Sequence, residues 1–280
     1  IRSCLVGSEM CIRDRDWSDV HHSRLSQHSP GPAQCRAIPR SCIIVTTPTP
    51  NEPNTFERNL AEALGVFSLM FVSGGVGIML DAGLAEGGLL MIAITTGLVL
   101  GIAVISAAPI SGAQFNPAVS IALSVIGKQS WARTASYVTV QCLGCILATL
   151  LLQNIMQTEP LQQAGEASGW AATRGSAGLS VNSMLILEMI GTFTLMWVIC
   201  RVAVHPRSQP VSSGTIGFAV GGTVASLILA FGPLTGMSLN PARSIGPILV
   251  AGVQAADWIY VIGPIVGASL AALLHHRVQS

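Results

Sequence analysis

Two identical tripeptides each place an amide side chain and a proline at the start of an apolar segment. Each reads Asn-Pro-Ala and opens an apolar segment of 11 residues, 116–126 and 240–250. Asn and Pro are favoured at the N-cap and first position of a helix, so each segment predicts a helix with an amide side chain at its tip. At 1.5 Å per residue, such a helix crosses only about half of a bilayer. The tripeptide residues are Asn116, Pro117, Ala118 and Asn240, Pro241, Ala242.

Three charged residues lie inside apolar stretches, where an ionised side chain is costly and usually functional. Arg243 follows the second tripeptide's Asn by three residues. This position favours a guanidinium that faces a lumen over one that extends to the membrane surface. Glu62 and Glu188 stand near the starts of two apolar stretches. A proton relay is one interpretation of this pair, and a structural role, which their equivalent placement favours, is the other.

The elements that position these residues must lie in a membrane. Half of the 280 residues are hydrophobic and only 10% are charged, against about 25% in an average soluble protein. The mean hydropathy is +0.61, and a net charge of +1 gives no reason to expect nucleic acid as a partner. A bilayer core requires roughly 20 apolar residues per helix, and six stretches qualify. They are 60–80, 89–110, 135–156, 181–200, 215–234 and 258–274.

The short connections between the predicted spans differ in charge. Those after the second and fourth spans carry Lys128, Arg133 and Arg207 without an acidic residue, whereas those after the first and third spans are mainly acidic. Basic connections favour the cytoplasmic side, and six spans place both termini on one side. The charges therefore predict cytoplasmic termini in a multi-pass protein of the cell membrane, either a plasma membrane or a bacterial inner membrane.

The chain contains an internal repeat. The motif E-x-x-G-x-F begins at Glu62 and again at Glu188, 126 residues later, and the tripeptides recur after 124 residues. Each half, 56–157 and 181–277, contains three spans, so the second half enters the membrane from the opposite side. The predicted fold class is an all-α membrane protein with six transmembrane helices and two re-entrant half-helices, arranged as an inverted repeat.

Residues 1–54 differ in composition from the rest of the chain. They are polar and contain six of the 15 prolines, and they show no hydrophobic run typical of a signal peptide. We interpret this segment as disordered or as a translation artefact. The membrane domain is placed at residues 55–280.

The paired motifs resemble those of the aquaporin or major intrinsic protein family. The resemblance covers about 56–277 and rests on segments 111–119 and 236–244, on the early Glu of each half and on Gly263-Pro264. It implies an hourglass of six tilted helices whose half-helices meet end to end, and a homotetramer with one pore per subunit. It also implies that Glu62 and Glu188 accept hydrogen bonds from the backbone of the half-helix loops.

The resemblance also places the family's outer constriction. Its four residues here are Thr96, Ile228, Met237 and Arg243. Water-selective members usually carry an aromatic residue and a His at the first two positions, and glycerol-conducting members usually carry two aromatics. Because this chain has neither set, we expect a wider and less polar filter, which the flexible Met237 is long enough to narrow. Ser244 and Tyr260 stand where glycerol channels typically carry Asp and Pro, which favours the aquaporin branch.

We therefore expect a channel for passive, bidirectional flux of water and small uncharged solutes that excludes ions and protons. Candidate solutes are urea, hydrogen peroxide, boric acid and arsenous acid. The partners implied are these molecules, the lipid bilayer and further copies of the chain.

Three other classes of protein remain as alternatives. A secondary transporter shares inverted repeats and broken helices, but it needs ion-coupling carboxylates at mid-membrane, and neither half-helix contains Asp or Glu. A non-conducting adhesion or junction protein on this scaffold would keep both motifs. An enzyme is disfavoured because the sequence shows no Ser/His/Asp set, metal cluster or phosphate loop where a site could form. No cofactor or metal is expected.

Overall fold

The computed structural model describes residues 52–205 and 211–279. Within these ranges the chain forms nine α-helices, and a π-helical turn, Cys200–Val204, continues the sixth. The α-helices are α1 (Thr55–Asp81), α2 (Gly88–Ser111), α3 (Pro117–Val125), α4 (Trp131–Ile155), α5 (Glu159–Ser168), α6 (Val181–Ile199), α7 (Ser213–Thr235), α8 (Pro241–Ala251) and α9 (Ile259–Gln279). The interpretation of residues 1–51 as disordered or artefactual lies outside the described residues.

Six of the described helices are long and apolar enough to cross a membrane, which confirms the predicted number of spans. They are α1, α2, α4, α6 with its π-helical turn, α7 and α9. Several of their ends extend beyond the apolar stretches, and α1, α4 and α7 begin earlier than predicted because a capping side chain starts each of them among polar residues. α4 begins at Trp131, before the predicted residue 135, since the Ser130 hydroxyl accepts a hydrogen bond from the Arg133 N–H over 3.3 Å. α9 continues to Gln279, past the predicted residue 274.

One helix, α5, was not predicted. It lies in the connection between the third and fourth spans and ends at Gly169, whose φ of 62° suits glycine. Gly165 leaves space for the indole of Trp170, because a Cβ on Gly165 would lie 2.6 Å from that ring. The contact fixes the start of the segment 170–180, which reaches the candidate pore.

The two half-helices are α3 and α8, with 9 and 11 residues. Asn116 and Asn240 occupy their N-caps with extended backbone, and a proline follows each at the first helical position. Gly127 and Gly252 come after their C-terminal ends with φ values of 70° and 90°. The Asn-Pro pair at the start and the glycine after the end of each half-helix explain why the sequence predicts the bounds of both closely.

The two halves interlock. Equivalent long helices make equivalent contacts, with α1 packed on α4 and α6 packed on α9. Each half-helix also packs on the last long helix of the other half, α3 on α9 and α8 on α4. Each half-helix is therefore held in place by both halves of the chain.

Glycines bring α2 and α7, the second long helix of each half, into backbone contact. A Cβ on Gly97 would lie 2.6 Å from the carbonyl oxygen of Gly221, and a Cβ on Gly221 would lie 2.2 Å from that of Gly97. Gly101 and Gly217 face each other in the same way, at 2.8 and 2.5 Å. Small residues four positions apart are typical of closely packed membrane helices. The sequence analysis did not identify this contact.

Gly221→Ala is expected to destabilise the protein, because the added methyl group would collide with the Gly97 carbonyl and separate α2 from α7. We expect a loss of about 1–3 kcal/mol, measured as a lower thermal unfolding midpoint in detergent. Gly222→Ala is the matched control, since a Cβ at that position would meet no described atom within 4 Å apart from the adjoining backbone of its own helix. Equal destabilisation by both substitutions would contradict the packing argument.

Candidate functional site

A cavity of about 230 Å³ lies between the two halves of the described chain. Its lining contains both half-helix caps and all four predicted filter positions, namely Thr96, Asn116, Ile228, Met237, Asn240 and Arg243. The other four tripeptide residues do not line this cavity but are buried in the first turns of α3 and α8. They are Pro117, Ala118, Pro241 and Ala242. The structure thus brings together residues that are far apart in the sequence.

Three long helices supply a mainly apolar wall to this cavity. On each of them the lining residues recur at intervals of four, which places them on one face. They are Thr96, Leu100 and Val104 on α2, Leu195, Ile199 and Ala203 on α6 and its π-helical turn, and Val220, Val224 and Ile228 on α7. Most polar groups in the lining therefore come from the loops ahead of α3 and α8.

The two cap asparagines connect the half-helices. The Asn116 side-chain oxygen accepts the Ala118 N–H at 2.9 Å, while its Nδ2 donates to the carbonyl oxygen of Leu239 at 2.8 Å. Asn240 accepts the Ala242 N–H at 3.0 Å and donates to the carbonyl oxygen of Phe115 at 2.7 Å. Each amide thus caps its own helix and binds the residue that precedes the other Asn, so the two helix N-termini meet.

Glu62 holds the loop ahead of α3. Its buried carboxylate accepts hydrogen bonds from the backbone N–H groups of Gln114 and Phe115 at 2.9 and 2.7 Å. It also accepts from the Ser111 hydroxyl at 2.6 Å and from the Gln141 amide at 2.8 Å. With four donors, the carboxylate is well satisfied away from water.

Glu188 holds the loop ahead of α8 in the same manner. Its buried carboxylate accepts the backbone N–H groups of Ser238 and Leu239 at 3.0 and 2.9 Å, and the Thr235 hydroxyl at 3.0 Å. Both glutamates are therefore placed to hold loop backbone, and their contacts include no chain of titratable groups that a proton relay would use.

The sequence contains two tyrosines, and both support these loops. The Tyr137 hydroxyl donates to the carbonyl oxygen of Ser111 at 2.9 Å, and the Tyr260 hydroxyl donates to that of Thr235 at 2.8 Å. Ser111 and Thr235 are the last residues of α2 and α7. The equivalent placement of the only two tyrosines was a signal that the sequence analysis did not use.

The glycine of each E-x-x-G motif makes room for the loop that the glutamate holds. A Cβ on Gly65 would lie 2.0 Å from the ring of Phe115, and one on Gly191 would lie 2.6 Å from the side chain of Leu239. Phe115 and Leu239 have φ values of 50° and 57°, a left-handed conformation that costs non-glycine residues about 1–2 kcal/mol. In each motif the glutamate thus accepts hydrogen bonds from the loop, as the family resemblance implies, and the glycine leaves space for that loop, which the sequence did not indicate.

Met237 is attached to the cavity wall. Its sulphur lies 3.3 Å from the Thr235 hydroxyl oxygen, whose proton the Glu188 carboxylate accepts, and its methyl group would lie 2.5 Å from a Cβ on Gly191. The flexible end of the side chain is therefore held against α6. Narrowing of the lumen by Met237 would require this contact to break.

Arg243 is held by the connection that follows α5. Its Nη1 donates to the carbonyl oxygen of Ala171 at 2.7 Å. The next residue, Ser244, makes hydroxyl contacts with Thr173 at 2.7 Å and with Ser238 at 2.5 Å. The connection thus positions the guanidinium at the cavity. Ala171 and Thr173 belong to no motif, so nothing in the sequence marks them as pore residues.

Comparison with known proteins identifies the family. The family model described as Major intrinsic protein matches residues 51–275. The chain is 38% identical over 221 residues to "Probable aquaporin TIP2-2" of Arabidopsis thaliana, covering 76% of this chain and 84% of that protein. It is 36% identical over 226 residues to "Aquaporin NIP1-1" of Zea mays, covering 80% of this chain and 75% of that protein.

The fold is also similar to a solved structure, that of the aquaglyceroporin from Plasmodium falciparum. The TM-score is 0.72, and the likeness covers 80% of this chain and 97% of that chain. Sequence identity is 23%, so this comparison concerns the fold alone. The family match and the two plant relatives carry the assignment further: the chain belongs to the major intrinsic protein family, the aquaporins, whose members are membrane channels and not enzymes.

Proposed function

We propose that this protein is a channel for the passive, bidirectional flux of water and small uncharged solutes, and that it excludes ions and protons. The observation that carries the proposal is the meeting of two half-helix N-termini at a cavity lined by Asn116, Asn240 and Arg243. The plant relatives, which are named as aquaporins, support the same activity.

Ion exclusion follows from electrostatics at the helix junction. Each helix N-terminus carries roughly half a positive charge, so the two together repel a cation that has already lost much of its hydration. This is a general argument for aquaporin-type pores. A neutral molecule meets no such barrier.

Proton exclusion follows from the donors that the asparagines present. An amide nitrogen carries two protons, and one proton of Asn116 and one of Asn240 bind carbonyl oxygens. The second proton of each is available to a water molecule in the lumen. A water that accepts from both amides must direct its own protons away from the centre, which interrupts a proton-conducting chain.

The solute range depends on the filter. Thr96 and Ile228 are small or aliphatic where an aromatic side chain or His would narrow the opening, and Met237 is held against α6. We therefore propose that small uncharged solutes pass in addition to water, with urea, hydrogen peroxide, boric acid and arsenous acid as the candidates, through a filter completed by Arg243.

Flux measurements in proteoliposomes test the solute range. The wild-type channel is expected to accelerate the shrinkage of proteoliposomes as water leaves under an osmotic gradient. With at least one of the four solutes, it should also accelerate the re-swelling that follows entry of the solute. A variant with both Thr96→Phe and Ile228→His should keep water flux and lose solute flux by about tenfold, because the opening becomes narrower and more polar. Leu98→Phe is the control, since Leu98 is exposed on the outer face of α2.

Water flux in the wild type without flux of any of the four solutes would refute the wide filter and leave a water channel. Saturable flux coupled to an ion gradient would instead indicate a carrier. Absence of any flux, from correctly inserted protein, would indicate a junction protein.

We further propose the assembly and orientation that the family and the charge pattern support. The chain forms a homotetramer with one pore in each subunit. It lies in the cell membrane, a plasma or bacterial inner membrane, with both termini on the cytoplasmic side, where Lys128 and Arg133 would also lie.

A further inference from the structure

A second cleft lies outside the pore, where α1 and α4 begin. It encloses about 520 Å³ between the segments 53–59 and 130–137. Two arginines, Arg58 and Arg133, line it from different helices, and its described lining contains no acidic residue. The cleft therefore offers two guanidinium groups to an anion, with the carboxylates of Glu52 and Glu57 at its edge, and nothing in the channel activity requires it.

Arg58 is held in place at the cleft. Its Nε donates to the carbonyl oxygen of Pro53 at 2.7 Å, and the side chain is only 20% exposed. One Nη lies 3.6 Å from the carboxylate of Glu52, whose side chain is 94% exposed. Because the Glu52 carboxylate is almost fully exposed, this long ion pair contributes little to stability, and an incoming anion can replace Glu52 at low cost.

Two helices begin at the cleft, α1 after Asn54 and α4 after Ser130. The Glu57 carboxylate accepts the Asn54 N–H at 2.8 Å and offsets the positive end of α1, so the partial positive charge comes from the N-terminus of α4. The Asn59 amide donates to the Ser136 hydroxyl at 2.6 Å and joins the two helices across the cleft. Guanidinium groups bind phosphate oxygens in a bidentate manner. The cleft is thus suited to one phosphate group.

The neighbouring surface is suited to the rest of a lipid. Phe56 and Trp131, in the first turns of α1 and α4, are 72% and 60% exposed, as is typical of side chains at a membrane interface. Leu60 and Leu64 continue from Phe56 along α1 at intervals of four residues, and both are exposed. This apolar stripe can contact an acyl chain whose headgroup occupies the cleft.

We propose that the cleft binds the phosphate headgroup of an anionic phospholipid in the leaflet where α1 begins. Arg58 and Arg133 bind the phosphate, and the stripe formed by Phe56, Leu60 and Leu64 packs against one acyl chain. The site is independent of the pore and of the solute that passes.

Lipid titration of the full-length protein in detergent, followed by native mass spectrometry, tests the site. Phosphatidylglycerol should bind more tightly than phosphatidylcholine. Arg58→Gln and Arg133→Gln should each weaken phosphatidylglycerol binding by about fivefold, since a basic residue near an anionic lipid contributes about 1 kcal/mol. Lys128→Gln is the control, because Lys128 carries the same charge near α4 but does not line the cleft. Unchanged water flux verifies that each variant is folded.

Three results would overturn the proposal. The first is equal weakening by Lys128→Gln, which would indicate diffuse attraction to the surface. The second is phosphatidylcholine binding as tightly as phosphatidylglycerol. The third is displacement of the lipid by inorganic phosphate at equal concentration, which would assign the cleft to a soluble anion. If Arg58→Gln fails to fold, Arg133→Gln decides the outcome alone, because the Arg133 side chain is exposed.

Discussion

Glu62→Leu is expected to abolish water permeability and to lower the thermal unfolding midpoint more than any other single substitution considered. The substitution removes the acceptor for four donors, from Ser111, Gln114, Phe115 and Gln141. An unsatisfied buried donor costs about 1–3 kcal/mol. The sum is a large part of the roughly 5–15 kcal/mol that stabilises a typical protein. Stopped-flow water flux and thermal unfolding in detergent measure the two effects.

Related substitutions should destabilise the protein in a predicted order. Glu188→Leu removes the acceptor for three donors and should destabilise less than Glu62→Leu. Glu62→Gln keeps one oxygen and should have an intermediate effect. Glu166→Leu is the control, because Glu166 is exposed on α5. Normal flux through Glu62→Leu would show that the loop ahead of α3 does not depend on the carboxylate.

Asn116→Asp and Asn240→Asp are each expected to make the pore leak cations. Each substitution adds a full negative charge at a junction where two helix N-termini supply roughly one positive charge together, so the barrier to cations is cancelled. For a cation about 5 Å from the new carboxylate, at an effective dielectric constant of about 20, the added attraction is about 3 kcal/mol. This corresponds to roughly a hundredfold increase in cation permeability. Conductance across planar bilayers measures the leak.

Asn182→Asp provides the control for this experiment. It makes the same chemical change at an exposed position near the start of α6, away from the cavity lining. Water flux must persist in the variants to show that the half-helices remain in place, since the remaining side-chain oxygen can still cap each helix. Background conductance in both junction variants, with water flux intact, would refute the electrostatic account.

The parts of the fold that depend on local chemistry were predictable from the sequence. Apolar length predicted six spans, and the Asn-Pro pairs predicted where α3 and α8 begin. The ends of the spans were less predictable, because Ser130 and its N-cap hydrogen bond start α4 among polar residues that hydropathy excludes. The π-helical turn after α6 has no signal in composition.

The family resemblance implied that the half-helices meet and that the glutamates bind their loops, but the individual partners across the pore centre could not be predicted from the sequence. The sequence places Asn116 at a helix start, but it does not indicate that the amide donates to Leu239 in the other half. The carbonyl oxygen of Ala171 binds Arg243 because α5 and Trp170 fix the start of the segment 170–180, and any residue type supplies such a carbonyl. The expectation that Met237 narrows the lumen considered only its length, whereas its position depends on contacts with Thr235 and Gly191.

The long sequence separations at the pore centre have a consequence for biosynthesis. Phe115 leaves the ribosome 53 residues after Glu62, and Leu239 follows Asn116 by 123 residues. At a translation rate of about 5–20 residues per second, the second interval lasts roughly 6–25 seconds. During this second interval the Asn116 amide has no final partner, whereas the backbone N–H groups that bind Glu62 have already been synthesised. The insertion machinery must therefore keep the first half in contact with water or with its own polar groups until the second half arrives.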